Sequence, residues 1–183
     1  MTDPRIIPDL PIEMGTGLEE ARTVLNSQAT LTQLMSPGDA NLWGNVFGGV
    51  ILALVDKVAW VSAARHCENP CVTASFDQVD FRSPIEIGEV VTLKASINTV
   101  GRTSMEIGVR VEAEHVHGGG RRHTNSCYVT MVAVDEDFRP KPIPRLLIES
   151  EDQYRRYQDA EERRRARLAL AEERRKRRAL DGD

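Results

Sequence analysis

Apolar and polar side chains recur along the chain with two periods, which divide it into one long helix and several strands. Residues 28–35 alternate in the manner of a short strand. Residues 48–67 are apolar on most of a helical circumference, which predicts a helix that is buried on most sides. After that helix the alternation returns in four segments that we predict as strands, at residues 71–81, 89–100, 102–116 and 123–134.

The connections between the later strands predict the fold class. Gly101 and the run Gly118–Gly120 are turn residues, and consecutive long strands joined by tight turns form antiparallel sheets. Prolines in residues 138–146 predict that the chain leaves the sheet after its last strand. One sheet and one apolar helix bury each other only if the sheet wraps around the helix, so we predict an α+β fold with a central helix. Two copies joined sheet edge to sheet edge would cover the exposed edge strand.

The two ends of the chain differ in composition from the middle. Residues 1–25 are rich in proline, glycine and acidic side chains, which predicts an extended N-terminal leader. Residues 151–183 are dense in Glu, Arg, Ala and Leu and contain no Gly or Pro before Gly182, which predicts a charged helical tail. We expect the tail to be solvated and to lie outside the core; the alternative is an arm that binds nucleic acid or a protein partner. The folded domain is then residues 26–150.

Composition narrows the class of protein. Of the 183 residues, 40% are hydrophobic and 28% are charged, so one core can be buried. The formal net charge is −4, which argues against a nucleic acid partner, and no segment is long and apolar enough for membrane insertion. The odd cysteine count, without a visible signal peptide, predicts free thiols and a cytoplasmic protein. These thiols are Cys67, Cys71 and Cys127.

Five stretches carry a resemblance to a known family. They are residues 41–51 followed by 54–56, then 64–66 with 72–77, 80–85 with 88–89, 101–106, and 139–144. In order and separation they resemble the acyl-CoA hydrolase type of hot-dog thioesterase, over about residues 28–147. Many members of that family have His where this chain has Phe47, and others have Phe. The resemblance implies a hot-dog fold, in which an antiparallel sheet wraps around one long helix, and a homodimer that often assembles into a trimer of dimers.

Gly48 and Gly49 open the predicted central helix. Amides at a helix N-terminus lack intrahelical partners and lie at the positive end of the helix dipole, and glycine lets a substrate carbonyl approach closely. These properties suit an oxyanion hole. From the spacing alone, tight packing of the helix on the sheet is an equally open reading, and the resemblance favours the catalytic one.

Asp56 lies in a largely apolar helix, where a carboxylate is costly unless it is paired or functional. The structural alternative is a pair with Lys57, with Arg65 or with a backbone amide of a partner chain. The resemblance implies that Asp56 is the general base or the nucleophile. It also implies that Asn45, otherwise typical of a cap or turn, orients the attacking water from the adjacent subunit, so that each catalytic site is shared between two chains.

The resemblance also implies which residues bind the substrate, an acyl-CoA. Family members line the pantetheine tunnel at positions that match Thr73, Arg102, Thr103 and Ser104, although ordinary strand polarity is the alternative. Further cations are candidates for the nucleotide phosphates of CoA, with solvated surface charge as the alternative. These candidates are Arg121, Arg122 and Arg139, together with Lys141 and Arg145.

We predict no metal and no organic cofactor, since CoA is itself part of the substrate and product. Three histidines, at 115, 117 and 123, lack a suitably spaced acidic ligand. The leading hypothesis is hydrolysis of fatty acyl-CoA to free fatty acid and CoA. The alternative is a non-catalytic, regulatory hot-dog protein that binds acyl-CoA. The sequence leaves the preferred acyl chain length open.

Overall fold

The computed structural model of the chain describes residues 7–77 and 79–181. Within these residues the chain forms eight strands and three α-helices, together with a short 3-10 turn at Pro37–Asp39. The helices are α1 (Val24–Ser27), α2 (Gly48–Cys67) and α3 (Glu151–Asp181). The strands are β1 (Ile12–Met14), β2 (Leu18–Thr23), β3 (Ala29–Leu34), β4 (Cys71–Phe76), β5 (Val90–Val100), β6 (Ser104–Glu114), β7 (Arg121–Ala133) and β8 (Pro144–Ile148).

The larger sheet has five strands in the order β3-β5-β6-β7-β4, and all its neighbours are antiparallel. Helix α2 packs against every one of these strands, so the sheet curls around it. Alternate side chains of β5, β6 and β7 point inward and are buried against the helix. The predicted α+β class, with an antiparallel sheet wrapped around one central helix, is therefore confirmed.

Helix α2 has the bounds that its apolar pattern predicts. It ends at Cys67 because Glu68 adopts a left-handed conformation with φ of 50° and the chain then reaches Pro70. Its buried residues lie on most of its circumference, as expected. Strand β4 ends at Phe76, five residues earlier than predicted, and residues 79–89 form a loop over the N-terminus of α2. Strand β4 is one edge of the sheet.

The second sheet corrects the sequence-based view of both ends of the domain. Residues 7–25 of the predicted extended leader are docked on the domain, because β1 pairs antiparallel and β2 pairs parallel with β8, and residues 1–6 of that leader lie outside the described residues. The chain does leave the larger sheet after β7, but Pro144–Ile148 then forms β8. Leu146 and Ile148 are fully buried, which supplies the driving force for this strand. Pro144 is tolerated because it is the first residue of the strand.

The predicted C-terminal helix is present, but its first half does not lie outside the core. Ala160 is fully buried, and the stacked rings of Tyr154 and Tyr157 pack against the core. Further along, the Arg163 guanidinium lies 3.6 Å from the centroid of the Tyr128 ring. From Leu168 onward the side chains of α3 are mostly exposed, as expected of the tail. No helix within residues 7–77 and 79–181 has the length and apolar character needed to cross a membrane.

Candidate active site

The carboxylate of Asp56 meets strand β4. The Thr73 hydroxyl donates a hydrogen bond of 2.6 Å to Asp56 Oδ1 and lies 3.4 Å from Met131 Sδ on β7. Asp56 is half-buried, so one side of it packs on the sheet while the other remains accessible. The predicted alternative of a pair with Arg65 is not observed, because that guanidinium donates to the Gln28 carbonyl. A hydrogen-bonded and accessible carboxylate is what a catalytic base or nucleophile requires.

The start of α2 is covered by two aromatic rings. A side chain at Gly48 would meet Phe81 Cζ at 3.4 Å, and a side chain at Gly49 would collide with the ring of Phe47. The residue before the helix, Phe47, provides no side-chain cap. The glycines therefore allow close packing, and the same absence of Cβ atoms lets a ligand approach the first-turn amides. The structure accommodates both of the readings that the sequence leaves open.

The loop before α2 fixes the backbone of Asn45. Asn41 Oδ1 accepts from the amides of Trp43 at 2.9 Å and Asn45 at 3.2 Å, and the Asn41 amide donates to the Asn45 carbonyl at 2.7 Å. Asn45 also forms an isolated bridge with Glu86. Its side chain is half-buried beside the N-terminus of α2. Asp56 lies about 12 Å further along the helix axis, so one protomer alone does not bring these two groups together.

Three of the predicted tunnel residues lie at the same end of the sheet as Thr73. Strand β7 pairs Met131 with Thr73 and its next residue, Val132, with Ser104. The Thr103 carbonyl accepts from Ala133 at 3.0 Å, which holds the β5–β6 turn against β7. Arg102 precedes this pair and is exposed.

The predicted phosphate-binding arginines lie in two different parts of the protomer. Arg121 begins β7 and is separated from Met131 by about 33 Å of strand. Its guanidinium donates to Glu114 at 2.7 Å. Arg139 is exposed in the loop before β8, with Asp137 at 3.5 Å. Within one protomer Arg121 does not approach the carboxylate site. Arg139 lies nearer to it, because its carbonyl accepts from the Asp135 amide at 3.0 Å, just beyond the end of β7 that carries Met131.

Arg122 is held by a buried carboxylate. Its Nη2 donates to Glu89 Oε2 at 2.6 Å and to the Pro84 carbonyl at 2.8 Å, and Nη1 donates to the other Glu89 oxygen. The Glu89 side chain is 0% exposed. The Arg122 guanidinium beside it holds the pKa of Glu89 below its ordinary value. His115 Nε2 lies 3.4 Å from the same carboxylate.

Sequence reasoning missed an exposed apolar surface beside Asp56, which we call the open face. It consists of the uncovered side of α2, the edge strand β4 and the two rings at the start of α2, and its exposed residues include Phe47, Trp60, Val72, Phe76 and Phe81. Trp60 lies one turn after Asp56, and its Nε1 donates to the Cys71 carbonyl at 3.2 Å. The sequence did contain a signal for this surface, namely the aromatic residues at and near the predicted central helix, because large apolar side chains that stay exposed mark interaction sites.

The donors of a metal site do not come together in the part of the chain that the structure describes. No group of three or more His, Cys, Asp or Glu side chains among these residues could hold a metal ion. The absence of a metal cofactor in the reaction stays a prediction.

The amino-acid sequence is similar to those of known thioesterases. A model of the thioesterase superfamily matches residues 44–119, which include Asp56 and Thr73. Protein VdlD of Helicobacter pylori is 42% identical over 138 residues, covering 75% of this chain and 79% of that protein. The cytosolic acyl coenzyme A thioester hydrolase of Mus musculus is 38% identical over 146 residues, covering 79% of this chain but only 38% of that protein.

Solved structures agree with both the fold and the sequence match. An apo-hexameric acyl-CoA thioesterase superposes with a TM-score of 0.80 at 38% identity, covering 83% of this chain and 97% of that one. An acyl-CoA hydrolase from Staphylococcus aureus, in complex with butyryl coenzyme A, coenzyme A and its disulfide, superposes with a TM-score of 0.81 at 28% identity, covering 89% and 99%. Alanine variants of that enzyme replace one aspartate, one asparagine and one threonine.

The fold, the carboxylate site and these relatives define a thioester hydrolase with the hot-dog fold. The chain belongs to the thioesterase superfamily, as a member of its acyl-CoA hydrolase type.

Proposed function

We propose that this protein hydrolyses fatty acyl-CoA to free fatty acid and CoA at a site built around Asp56. The observation that carries the proposal is the 2.6 Å hydrogen bond from Thr73 to Asp56 Oδ1. This bond fixes one carboxylate oxygen and leaves Oδ2 to act on the thioester. Asp56 either takes a proton from an attacking water or attacks the carbonyl carbon itself. In both routes the carbon–sulfur bond breaks, the CoA sulfur leaves and one water is consumed.

The first-turn amides of Gly48 and Gly49 are the proposed oxyanion hole. The negative charge that develops on the thioester oxygen would lie at the positive end of α2, where backbone donors are available without reorganisation. One such donor is worth about 3 kcal/mol of activation free energy. The ring of Phe81 over Gly48 helps to exclude water from this position.

We propose that two copies of the chain share each site. The open face is apolar and includes the edge strand β4, whose outer side can pair with a second β4. A two-fold pairing there would bring Asp56 of one protomer toward the loop before α2 of its partner. The hexameric relative supports further assembly into a trimer of dimers.

Two asparagines of that loop are candidates to orient the water across the interface. Asn45 is the residue that the family resemblance suggests, and its backbone is fixed beside the start of α2. Asn41 is a second candidate. In the Staphylococcus aureus enzyme the substituted asparagine, aspartate and threonine are spaced along the chain as Asn41, Asp56 and Thr73 are spaced here. Separate Asn41→Ala and Asn45→Ala variants decide between them, because only the water-orienting residue lowers kcat in the correctly assembled oligomer.

The substrate arm would pass along Thr73, Thr103 and Ser104, whose hydroxyls can bond the pantetheine amides, and Arg102 would lie near its outer end. Arg139 lies just beyond the end of β7 that carries Met131, within reach of a CoA bound along Thr73. Arg121 and Arg122 are too far from Thr73 in one protomer to hold the phosphates of the same CoA. They contact CoA only if a neighbouring subunit presents them, which is a second reason to propose an oligomer.

The chemistry needs only side chains, backbone amides and water, so we propose that no metal or organic cofactor takes part. Retained turnover after treatment with a chelator is the expected result. We also propose a cytoplasmic protein without a nucleic acid partner, in keeping with the free cysteines and with the name of the Mus musculus relative.

Asp56→Asn and Glu162→Gln test the proposed function together. Release of CoA thiol from acyl-CoA is measured for both variants, and Glu162 is an exposed carboxylate on α3. We expect kcat to fall by about a hundredfold to ten-thousandfold for Asp56→Asn and to stay unchanged for Glu162→Gln. Full turnover by Asp56→Asn would reject the role of Asp56. A wild-type protein that binds acyl-CoA tightly without hydrolysing it would instead support the regulatory binding alternative.

A further inference from the structure

Two cysteine sulfurs are in contact across the short turn that connects α2 to β4. Cys67 is the last residue of α2 and Cys71 is the first residue of β4. Their Sγ atoms are 3.1 Å apart, and both thiols are free. Each sulfur also lies near the Asn69 carbonyl oxygen, at 3.4 Å and 3.5 Å. The turn between the two elements therefore places both sulfurs next to each other and next to the same carbonyl oxygen.

The turn that holds the sulfurs is itself well anchored. Glu68 adopts a left-handed conformation and donates its amide to Ala64 at 2.8 Å. The side-chain amide of Asn69 donates to the Cys67 carbonyl at 2.5 Å. On the strand side, the Pro70 carbonyl accepts from Val134 at 2.9 Å. The backbone that carries the two cysteines is thus fixed by the fold at this junction, which holds the two side chains close together.

The two thiols differ in acidity, which gives the pair a direction of reaction. The hydrogen bond from Cys71 lowers the pKa of Cys67, and the same bond raises the pKa of Cys71. The thiolate is the reactive form of cysteine, so this direction favours Cys67 as the thiol that reacts first. Cys127 provides the contrast, because burial raises its pKa to about 11.

We propose that Cys67 and Cys71 form a redox modification site that a hydroperoxide converts into an intramolecular disulfide. The Cys67 thiolate attacks one peroxide oxygen, the O–O bond breaks, and the other oxygen leaves as hydroxide or alkoxide. This step oxidises Cys67 to a sulfenic acid. The Cys71 thiol then attacks that sulfur, the S–O bond breaks, and the departing oxygen leaves as water with the Cys71 proton. Sulfur is oxidised and the peroxide is reduced.

The burial of the two cysteines favours a small oxidant. Cys67 is 3% exposed and Cys71 is 7% exposed, so a small hydroperoxide reaches the pair more easily than a bulky disulfide does. Closing the bond shortens the sulfur–sulfur distance from 3.1 Å to about 2.0 Å. The movement required of the backbone is small, and it falls on the two elements that carry Asp56 and Thr73. In a reducing compartment the bond would be transient and reversed by thiols.

The test counts thiols and needs no substrate, so its result is independent of the proposed hydrolysis. The full-length protein is treated with hydrogen peroxide or with glutathione disulfide, denatured, and titrated for thiols in parallel with intact-mass measurement. We expect hydrogen peroxide to lower the number of titratable thiols per chain from three to one, with a mass loss of two hydrogens. No cross-linked dimer should be seen on a non-reducing gel, and dithiothreitol should restore all three thiols. We expect glutathione disulfide to react more slowly. Three thiols retained in the peroxide arm, an added oxygen as the final product, or a disulfide between chains would overturn the proposal.

Single substitutions test the order of the two steps. In Cys71→Ser the sulfenic acid on Cys67 has no thiol to resolve it, so dimedone should trap it. In Cys67→Ser we expect Cys71 to remain reduced under the same treatment. Equal reactivity of the two variants would contradict the assignment of Cys67 as the attacking thiol. Cys127→Ala is the matched control, in which both remaining thiols should disappear together.

Discussion

Thr73 and Asp56 are joined by a hydrogen bond of 2.6 Å between the edge strand β4 and the central helix α2. The hydroxyl donates to Oδ1, so the carboxylate is oriented by the sheet and not only by its own rotamer. Met131 Sδ lies 3.4 Å from the same hydroxyl and limits its alternative positions. The proposed base is therefore held by an element that is itself part of the proposed dimer interface, which ties catalysis to assembly.

Thr73→Ala should lower kcat by about tenfold to a hundredfold, because hydrogen bonds to charged groups are worth about 1.5–3 kcal/mol. Thr73→Ser should retain most of the rate, since the hydroxyl is kept. Steady-state release of CoA thiol is the measurement, with the oligomer size checked on the same samples. Equal losses in the Ala and Ser variants would mean that the methyl group matters, and the hydrogen bond would then have no catalytic role.

Arg122→Ala separates a structural role for this arginine from phosphate binding. The Glu89 side chain is 0% exposed, so removal of Arg122 leaves a buried carboxylate whose remaining contacts include only the Glu86 amide and the more distant His115. We expect the free energy of unfolding to fall by about 3 kcal/mol. Arg121→Ala is the comparison, because its partner Glu114 is partly exposed and the expected loss is below about 1 kcal/mol. Urea denaturation at fixed protein concentration measures both.

The KM for acyl-CoA provides the second readout on the same two variants. An increase in KM for Arg122→Ala without loss of stability would show that Arg122 contacts substrate and that Glu89 tolerates its absence. The structure favours the opposite result, a loss of stability with little change in KM.

The sequence predicted the parts of the fold that depend on local periodicity. Helix α2 was located to the residue, because an almost wholly apolar run has a sharp end at Pro70. Strand β8 was missed, since the prolines at and before its start obscured a short alternating segment whose partners are distant in sequence. The docking of α3 was missed for a related reason. Its contacts, such as Arg163 over Tyr128, join residues that no local pattern relates.

The candidate site was predictable in its residue types but not in its arrangement. Asp56 could be singled out as a carboxylate in an apolar helix, and the family resemblance suggested its role. That its partner is Thr73, and not Arg65, depends on the register of β4 against β7 and on where α2 lies on the sheet. The distance between Arg121 and Thr73 likewise follows only from strand order.

Arg163→Ala should weaken the docking of α3 on the sheet. Its Nη2 donates to Glu106 at 2.7 Å, and the Glu106 side chain is 1% exposed. Loss of this partner leaves Glu106 buried with weaker compensation from Asn98 and Arg167, so we expect the free energy of unfolding to fall by about 3 kcal/mol. Arg155→Ala, which breaks only exposed pairs on the same helix, should change it by less than about 1 kcal/mol. Cleavage within α3 by trypsin under native conditions should accelerate only in Arg163→Ala.

His66 makes the stability of the protein depend on pH. Its side chain is buried, Nε2 donates to the Pro144 carbonyl at 3.0 Å, and burial lowers its pKa. The folded state therefore binds a proton less readily than the unfolded state, whose pKa is about 6.5. The stabilising contribution is complete above that pH and is lost as the pH falls below it. His66→Gln, which keeps a donor for Pro144 but cannot be protonated, should flatten the dependence of the free energy of unfolding on pH below about 6.5. Exposed His117→Gln should retain the wild-type profile, and equal flattening by the two variants would show that another group is responsible.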